Sequence, residues 1–229
     1  MPTDTEQRKG ILFALAAYGM WGLVPIYFKA VDHVSPFEVV AHRVLGSVAF
    51  LVVFIVATGR WQEFTSYLKQ RRLVAGLLLS AIVISLNWLV FIWAVGQDRI
   101  LEAALGYFIN PLISVLLGMI FLGERLRRIQ WLAIILAFIG VGYQLVLLGS
   151  LPWVALVLAF SFGFYGLLRK RLAVDAFSGL LIETLLLSPV ALIYLLWLVQ
   201  QGDMQFLFTT GNTTLLLIAS GLVTSLHLI

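Results

Sequence analysis

From Gly10 to the last residue the chain alternates long apolar runs with short polar breaks. The runs are about 18 to 23 residues long, where a membrane barrel would show short segments of alternating polarity, so they predict helices. Eight are expected: 10–30, 36–57, 73–95, 101–122, 131–148, 151–168, 178–199 and a short last one at 213–229. The most informative is the fourth. Glu102 and Glu124 enclose 21 uncharged residues, enough at ~1.5 Å per residue to cross a hydrocarbon layer of ~30 Å. Counting in fours from Glu102 gives Gly106, Asn110, Ser114 and Gly118, a small or polar stripe of the kind that faces protein and not lipid. The stripe winds by ~40° per step, so it cannot all face one place. The Asn110 turn is assigned to a pathway, and the turn from Ser114 to Gly118 to close helix packing. Before the second run, Ser35-Pro36-Phe37-Glu38 reads as a capping box with proline at the first helical position.

Composition turns these helices into spans. The 229 residues are 62% hydrophobic and 11% charged, more apolar surface than a soluble core hides, so the chain is an all-α, polytopic transmembrane bundle whose partner is the lipid bilayer. A net charge of +4 does not signal nucleic acid, because the basic residues sit in short clusters between apolar runs. With no cysteine and three histidines, His33, His42 and His227, neither a metal site nor a cofactor is expected. The first run is longer than the apolar part of a signal peptide and lacks a clear cleavage site, so it is expected to remain as the first span.

Charge then sets the orientation. Arg8, Lys9, Arg60, Lys69, Arg71, Arg72, Arg125, Arg127, Arg128, Arg169, Lys170 and Arg171 put 12 of the 15 basic residues in alternate loops, leaving Lys29, Arg43 and Arg99 elsewhere. The positive-inside rule makes the N-terminus cytoplasmic. A reporter fused after Asp98 is expected outside and one after Arg128 inside; the reverse would overturn the topology.

An internal repeat accompanies the spans. Trp21-Gly22-Leu23 recurs 144 residues on as Tyr165-Gly166-Leu167, and Ser85-Leu86-Asn87 recurs 140 residues on as Ser225-Leu226-His227. The similar offsets suggest a five-span unit, residues 1–148, begun again over 149–229 with three spans. Five being odd, the second copy is inverted, an architecture that places substrate between two halves. Eight spans of an expected ten make the second copy incomplete.

Ionisable and polar residues within spans are functional candidates, because inserting a charge costs at least ~2.5 to 3.5 kcal/mol. Arg43 lies about 10 Å from the outer end of its span, and Asn87 and Asn110 about 12 to 14 Å from theirs, by helical rise. Three residues at nearly one depth suggest one polar cavity open to the outside, with Arg43 contacting an anionic or polarised group. The other reading of Arg43 is a side chain that snorkels to the headgroups or pairs with Glu102. His42, as an imidazole, is a proton-carrier candidate and is equally a packing histidine. Glu183, about five residues into the seventh span, is a proton or substrate site unless it ends in interfacial water. Trp21 and Tyr107 join the substrate candidates because each is within a turn of a small or polar residue, although aromatics in spans are more often packing. Pro25, Pro111 and Pro189 interrupt helical bonding in mid-span. No P-loop, HExxH motif or paired intramembrane aspartates are present, which removes support for ATP-driven transport or catalysis.

Six segments carry a family resemblance: ALAAYGMWGLVPIYFK from Ala14, AHR at Ala41 to Arg43, NWLVFIWAV from Asn87, LEAALGYFINPLISVLLGMIFLGER from Leu101, QWLA from Gln130 and AFSFGFYGLLRK from Ala159. With these the chain resembles the RarD-type proteins of the EamA family, in the drug/metabolite transporter superfamily. The resemblance implies a ten-span carrier of two inverted five-span units, a secondary transporter of small organic molecules or drugs across the bacterial inner membrane, with no enzymatic activity. It also implies a departure: the family continues through a proline near the position of His227 and adds two spans. The alternative expectation is therefore a truncated, transport-incompetent fragment of the same family.

Overall fold

The computed structural model describes Gly19 and residues 22–149, 152–172, 174–208 and 212–228, and these are helical apart from short connections. In chain order the helices are α1 (22–29), α2 (Pro36–Ala57), α3 (Trp61–Leu68), α4 (Arg71–Gly96), α5 (Ile100–Leu122), α6 (Arg128–Leu148), α7 (Trp153–Arg171), α8 (Ala176–Gln201), α9 (Gln205–Phe208) and α10 (Asn212–Leu228). Six of them, α2 and α4 to α8, are long and apolar enough to cross a membrane, which makes the molecule a polytopic helical membrane bundle. The predicted runs from the second to the seventh fall on these six. The eighth is α10, whose 17 residues reach roughly 25 Å. Trp21 lies outside the described residues.

Two short elements were not expected. The basic loop after α2 folds into α3, which buries Phe64 against the bundle and exposes most of its remaining side chains. Beyond α8 the chain turns at Gly202, whose φ of 75° suits a residue without a side chain, and enters α9. This turn explains why the capping box before α2 does not form. Ser35 makes no side-chain cap, and Glu38, 1% exposed, turns its carboxylate to the backbone N–H groups of Gln205 (3.3 Å) and Phe206 (3.1 Å). A buried carboxylate takes the strongest donors within reach, and here they belong to α9.

The bundle is held by helix pairs with small residues at their crossings. α2 packs on α8 and α10, α4 on α7 and α8, and α5 on α7. At the crossing of α2 and α10, a Cβ on Gly46 would stand 3.0 Å from the Cα of Gly221, and Ser47 donates to the Gly221 carbonyl at 3.1 Å. Where α5 meets α7, a Cβ on Gly106 would stand 3.0 Å from the Ala155 carbonyl oxygen. Backbones this close exclude lipid and gain dispersion contacts along their length. The close crossing of α5 with α7 is thus at Gly106, two steps of the stripe before Ser114, which is exposed, while Gly118 is buried beside the Glu124 side chain. Between α2, α4 and α8 lie Leu51, Ile55, Leu77, Ile84, Leu180 and Leu181, all at 0 to 1% exposure. α6 is different. It touches α5, and none of its described residues is buried.

Charged groups fall into two layers at opposite helix ends. In one, Lys29 bridges Asp32 (2.9 Å) and Asp98 (2.7 Å), and Arg99 grips Glu102 at 2.7 and 2.8 Å while stacking on Trp93 and Trp153. In the other, Arg60 pairs with Glu63 (3.3 Å) and Asp175 (3.5 Å), Lys170 pairs with Glu124, and Arg171 donates to the Phe121 carbonyl at 2.6 Å. These are the two rims of a membrane-embedded body, apolar between them.

Candidate functional site

One face of α5 looks into a cavity of about 900 Å³. Small residues make the room: Ala103 and Ala104 on α5, Gly22 on α1 and Ala137 on α6. Aromatic rings make the walls, with Phe91 from α4, Tyr107 and Phe108 from α5, and Phe162 from α7. Pro25 and Pro111 both border it, so α1 and α5 each lack one backbone donor there. Asn110 and Tyr107 are its polar members, one turn apart on α5, and the Asn110 side-chain oxygen accepts a bond from Ser114 at 3.3 Å. Among the described lining residues none is charged.

Arg43 stands outside this lining. It is 2% exposed, its guanidinium lies 4.9 Å from the Phe28 ring centre and 4.6 Å from that of Trp88, and its Nε donates to Thr224 at 2.7 Å. α1, α2, α4 and α10 therefore converge on one buried cation, stabilised by two aromatic faces where lipid-like surroundings offer no water. Glu102, the other expected partner, is held instead by Arg99, three residues before it, at 2.7 and 2.8 Å. An edge-to-face series connects the Arg43 pocket to the cavity: Phe28 to Phe91 at 6.0 Å, then Phe91 to Tyr107 at 5.9 Å. Nearby, the Tyr27 hydroxyl bonds the Leu216 carbonyl, tying α1 to α10.

Asn87 faces α7, where its amide donates to the Leu158 carbonyl (3.0 Å) and Ser161 (2.8 Å). The three residues expected in one cavity thus occupy three settings: Asn110 the cavity, Arg43 an aromatic clamp, and Asn87 a helix contact. His42 is in a fourth. Its ring stacks on Phe206 at 4.8 Å, and its Nε2, without a hydrogen-bond partner among the described residues, is 3.8 Å from Glu38.

Glu183 lies towards the opposite rim and is fully buried. Ser80 of α4 donates to it at 2.5 Å, Tyr165 of α7 at 3.3 Å, and Arg169 of α7 stands 3.8 Å away. Arg169 also donates to the carbonyls of Asp175 (3.3 Å) and Ala176 (3.4 Å), while its Nη1 has no hydrogen-bond partner among the described residues. The sequence singles out Glu183 as a carboxylate within a span but presents Arg169 only as a topological charge. Spacing held a signal: Tyr165 and Arg169 are four apart and share a face of α7, so a carboxylate opposite one is within reach of both.

Comparison with known proteins gives this arrangement a family. Residues 8–145 match the EamA-like transporter family. An uncharacterised transporter of Vibrio cholerae is 50% identical over 228 residues, which is 100% of this chain and 76% of that protein. Protein RarD of Escherichia coli is 49% identical over 227 residues, 99% of this chain and 77% of that protein. The chloramphenicol-sensitive protein RarD of Pseudomonas aeruginosa is 37% identical over 223 residues, 95% of this chain and 74% of that protein. With a family match across more than half its length and relatives at half identity across nearly all of it, this multi-pass membrane chain belongs to the EamA-like transporter family.

Proposed function

We propose that the chain is a secondary transporter of small organic molecules in the bacterial inner membrane, with its N-terminus in the cytoplasm and its substrate held in the cavity beside α5. The observation that carries this reading is the cavity itself: about 900 Å³ of space bordered by Pro25 and Pro111 and walled by rings, within a bundle whose helices meet closely at glycine crossings. Asn110 and Tyr107 touch substrate. Arg43 draws the helices around the pathway together and meets substrate only when the Phe28, Phe91 and Tyr107 rings part. Asn87 keeps α4 on α7. Glu183, with a competing cation and two hydroxyls around it, exchanges a proton as those partners rearrange, and His42 is the second proton candidate.

The proposed units are residues 1–148 and 149–229, related by inversion. Exchange of the second with the seventh span and the third with the eighth turns the pair α2 and α10 into the pair α8 and α4, and both pairs are packed. This supports the repeat, as does the presence of a rim of ion pairs at each end. The relatives lend no support to a transport-incompetent fragment.

The test is access to the cavity from both sides of the membrane. The chain has no cysteine, so Ala104→Cys introduces a single thiol beside Tyr107 and Asn110, and alternating access exposes it to each face in turn.

A further inference from the structure

Resting on the reading of the cavity as the substrate site, we infer that its ligand is an uncharged, flat aromatic molecule carrying one amide-like hydrogen-bonding group. Charge is the first argument. No described lining residue is ionisable with a charge at neutral pH, and the sequence from Gly10 to Phe28, which leads into and forms most of α1, is uncharged as well. Arg43 is outside the lining, with its Nε donating to Thr224 and its guanidinium against the Phe28 ring. Glu102, next to the lining residue Ala103 in sequence, is gripped twice by Arg99. An ionic ligand would leave water without a counter-charge to meet it, a loss that selects against it.

Shape is the second argument. Phe91, Tyr107, Phe108 and Phe162 present ring surface from three helices around the space. Rings pack best against rings in offset or edge-on contact, so a planar apolar body gains most from these walls. The third argument is the polar handle. Asn110 is an amide on the cavity face of α5, able to donate and to accept, and its complement is another amide. A ligand that offers its own donor and acceptor to Asn110 fixes its orientation against otherwise featureless walls.

Three compounds of one skeleton test this: 1-naphthaleneacetamide, which is neutral, 1-naphthaleneacetate, an anion, and 1-naphthaleneethylamine, a cation. Each is added to Ala104→Cys in proteoliposomes, and the rate of maleimide labelling is followed, with Ser66→Cys, exposed on α3 outside the apolar layer, as the control thiol. The expected result is that the amide slows labelling at position 104 several-fold and leaves position 66 unchanged, while the two ions at the same concentration do not protect. Asn110→Leu is expected to raise the amide concentration needed by about tenfold, the worth of one hydrogen bond, with the unprotected labelling rate reporting that the variant is folded. Stronger protection by the anion or the cation overturns the uncharged class and leaves the cavity as the substrate site. Protection by none of the three overturns both.

Discussion

Glu183→Leu is expected to destabilise the bundle by about 3 kcal/mol, because it strands Arg169 among buried groups. The carboxylate receives bonds from Ser80 and Tyr165 and faces Arg169 at 3.8 Å, so one substitution removes the acceptor of the Tyr165 hydroxyl and the counter-charge of Arg169, while Ser80 keeps its bond to the Leu77 carbonyl. Arg169 keeps its two carbonyl bonds and some exposure, which holds the cost near the lower end of what a broken buried ion pair brings. Removing both charges, with Glu183→Leu and Arg169→Leu together, is expected to recover most of that loss, since apolar groups of similar size commonly replace a buried pair at little cost. Thermal unfolding of the purified chain in detergent measures both. If the double substitution is as damaging as the two single losses added, the pair is not coupled and its place in the structure is misjudged. The same variants bear on function: a folded double variant in which transport no longer responds to a proton gradient is the outcome expected of a coupling carboxylate.

Gly221→Ala is the second large effect. Its Cβ would overlap the backbone of Gly46 and Ser47, where neither partner has a flexible side chain to move aside. Alanine is normally worth about 1 kcal/mol over glycine within a helix, so the sign of the result is informative. Here overpacking of about 3 kcal/mol or more is expected to outweigh that gain and push α10 off α2. Thr224 lies one turn away on α10, and the Arg43 clamp opens with the crossing. Gly46→Ala is expected to be milder, because its Cβ meets the Gly221 Cα at 3.0 Å and needs a shift of a few tenths of an ångström. Equal stability of Gly221→Ala and the parent chain in a thermal melt contradicts the tight crossing.

What the sequence disclosed was whatever depends on position along a helix. Apolar runs located α2 and α4 to α8. Place along a helix was legible, since rise per residue sets how far Arg43, Asn87 and Asn110 stand from the ends of α2, α4 and α5. Direction around each helix was not. Whether Asn87 looks into a cavity or at Ser161 depends on how α4 packs on α7, which no local pattern encodes. Glu38 shows the same limit in another form. Its place three residues after Ser35 is the local signature of a cap, yet its oxygens bind amides 167 and 168 residues away. Arg169 was hidden by its address: a basic residue at a helix end satisfies the topology rule whichever way its side chain turns, and this one turns towards Glu183.

The cavity beside α5 is expected to open alternately to the two sides of the membrane. Ala104→Cys in the otherwise cysteine-free chain, labelled with a membrane-impermeant maleimide in right-side-out and in inverted vesicles, tests it most directly. Position 104 is expected to label from both faces, with the balance between them shifting when a ligand or a proton gradient is applied, while Ser66→Cys labels from the cytoplasmic face alone. Labelling of position 104 from one face under every condition, or from neither, contradicts the account.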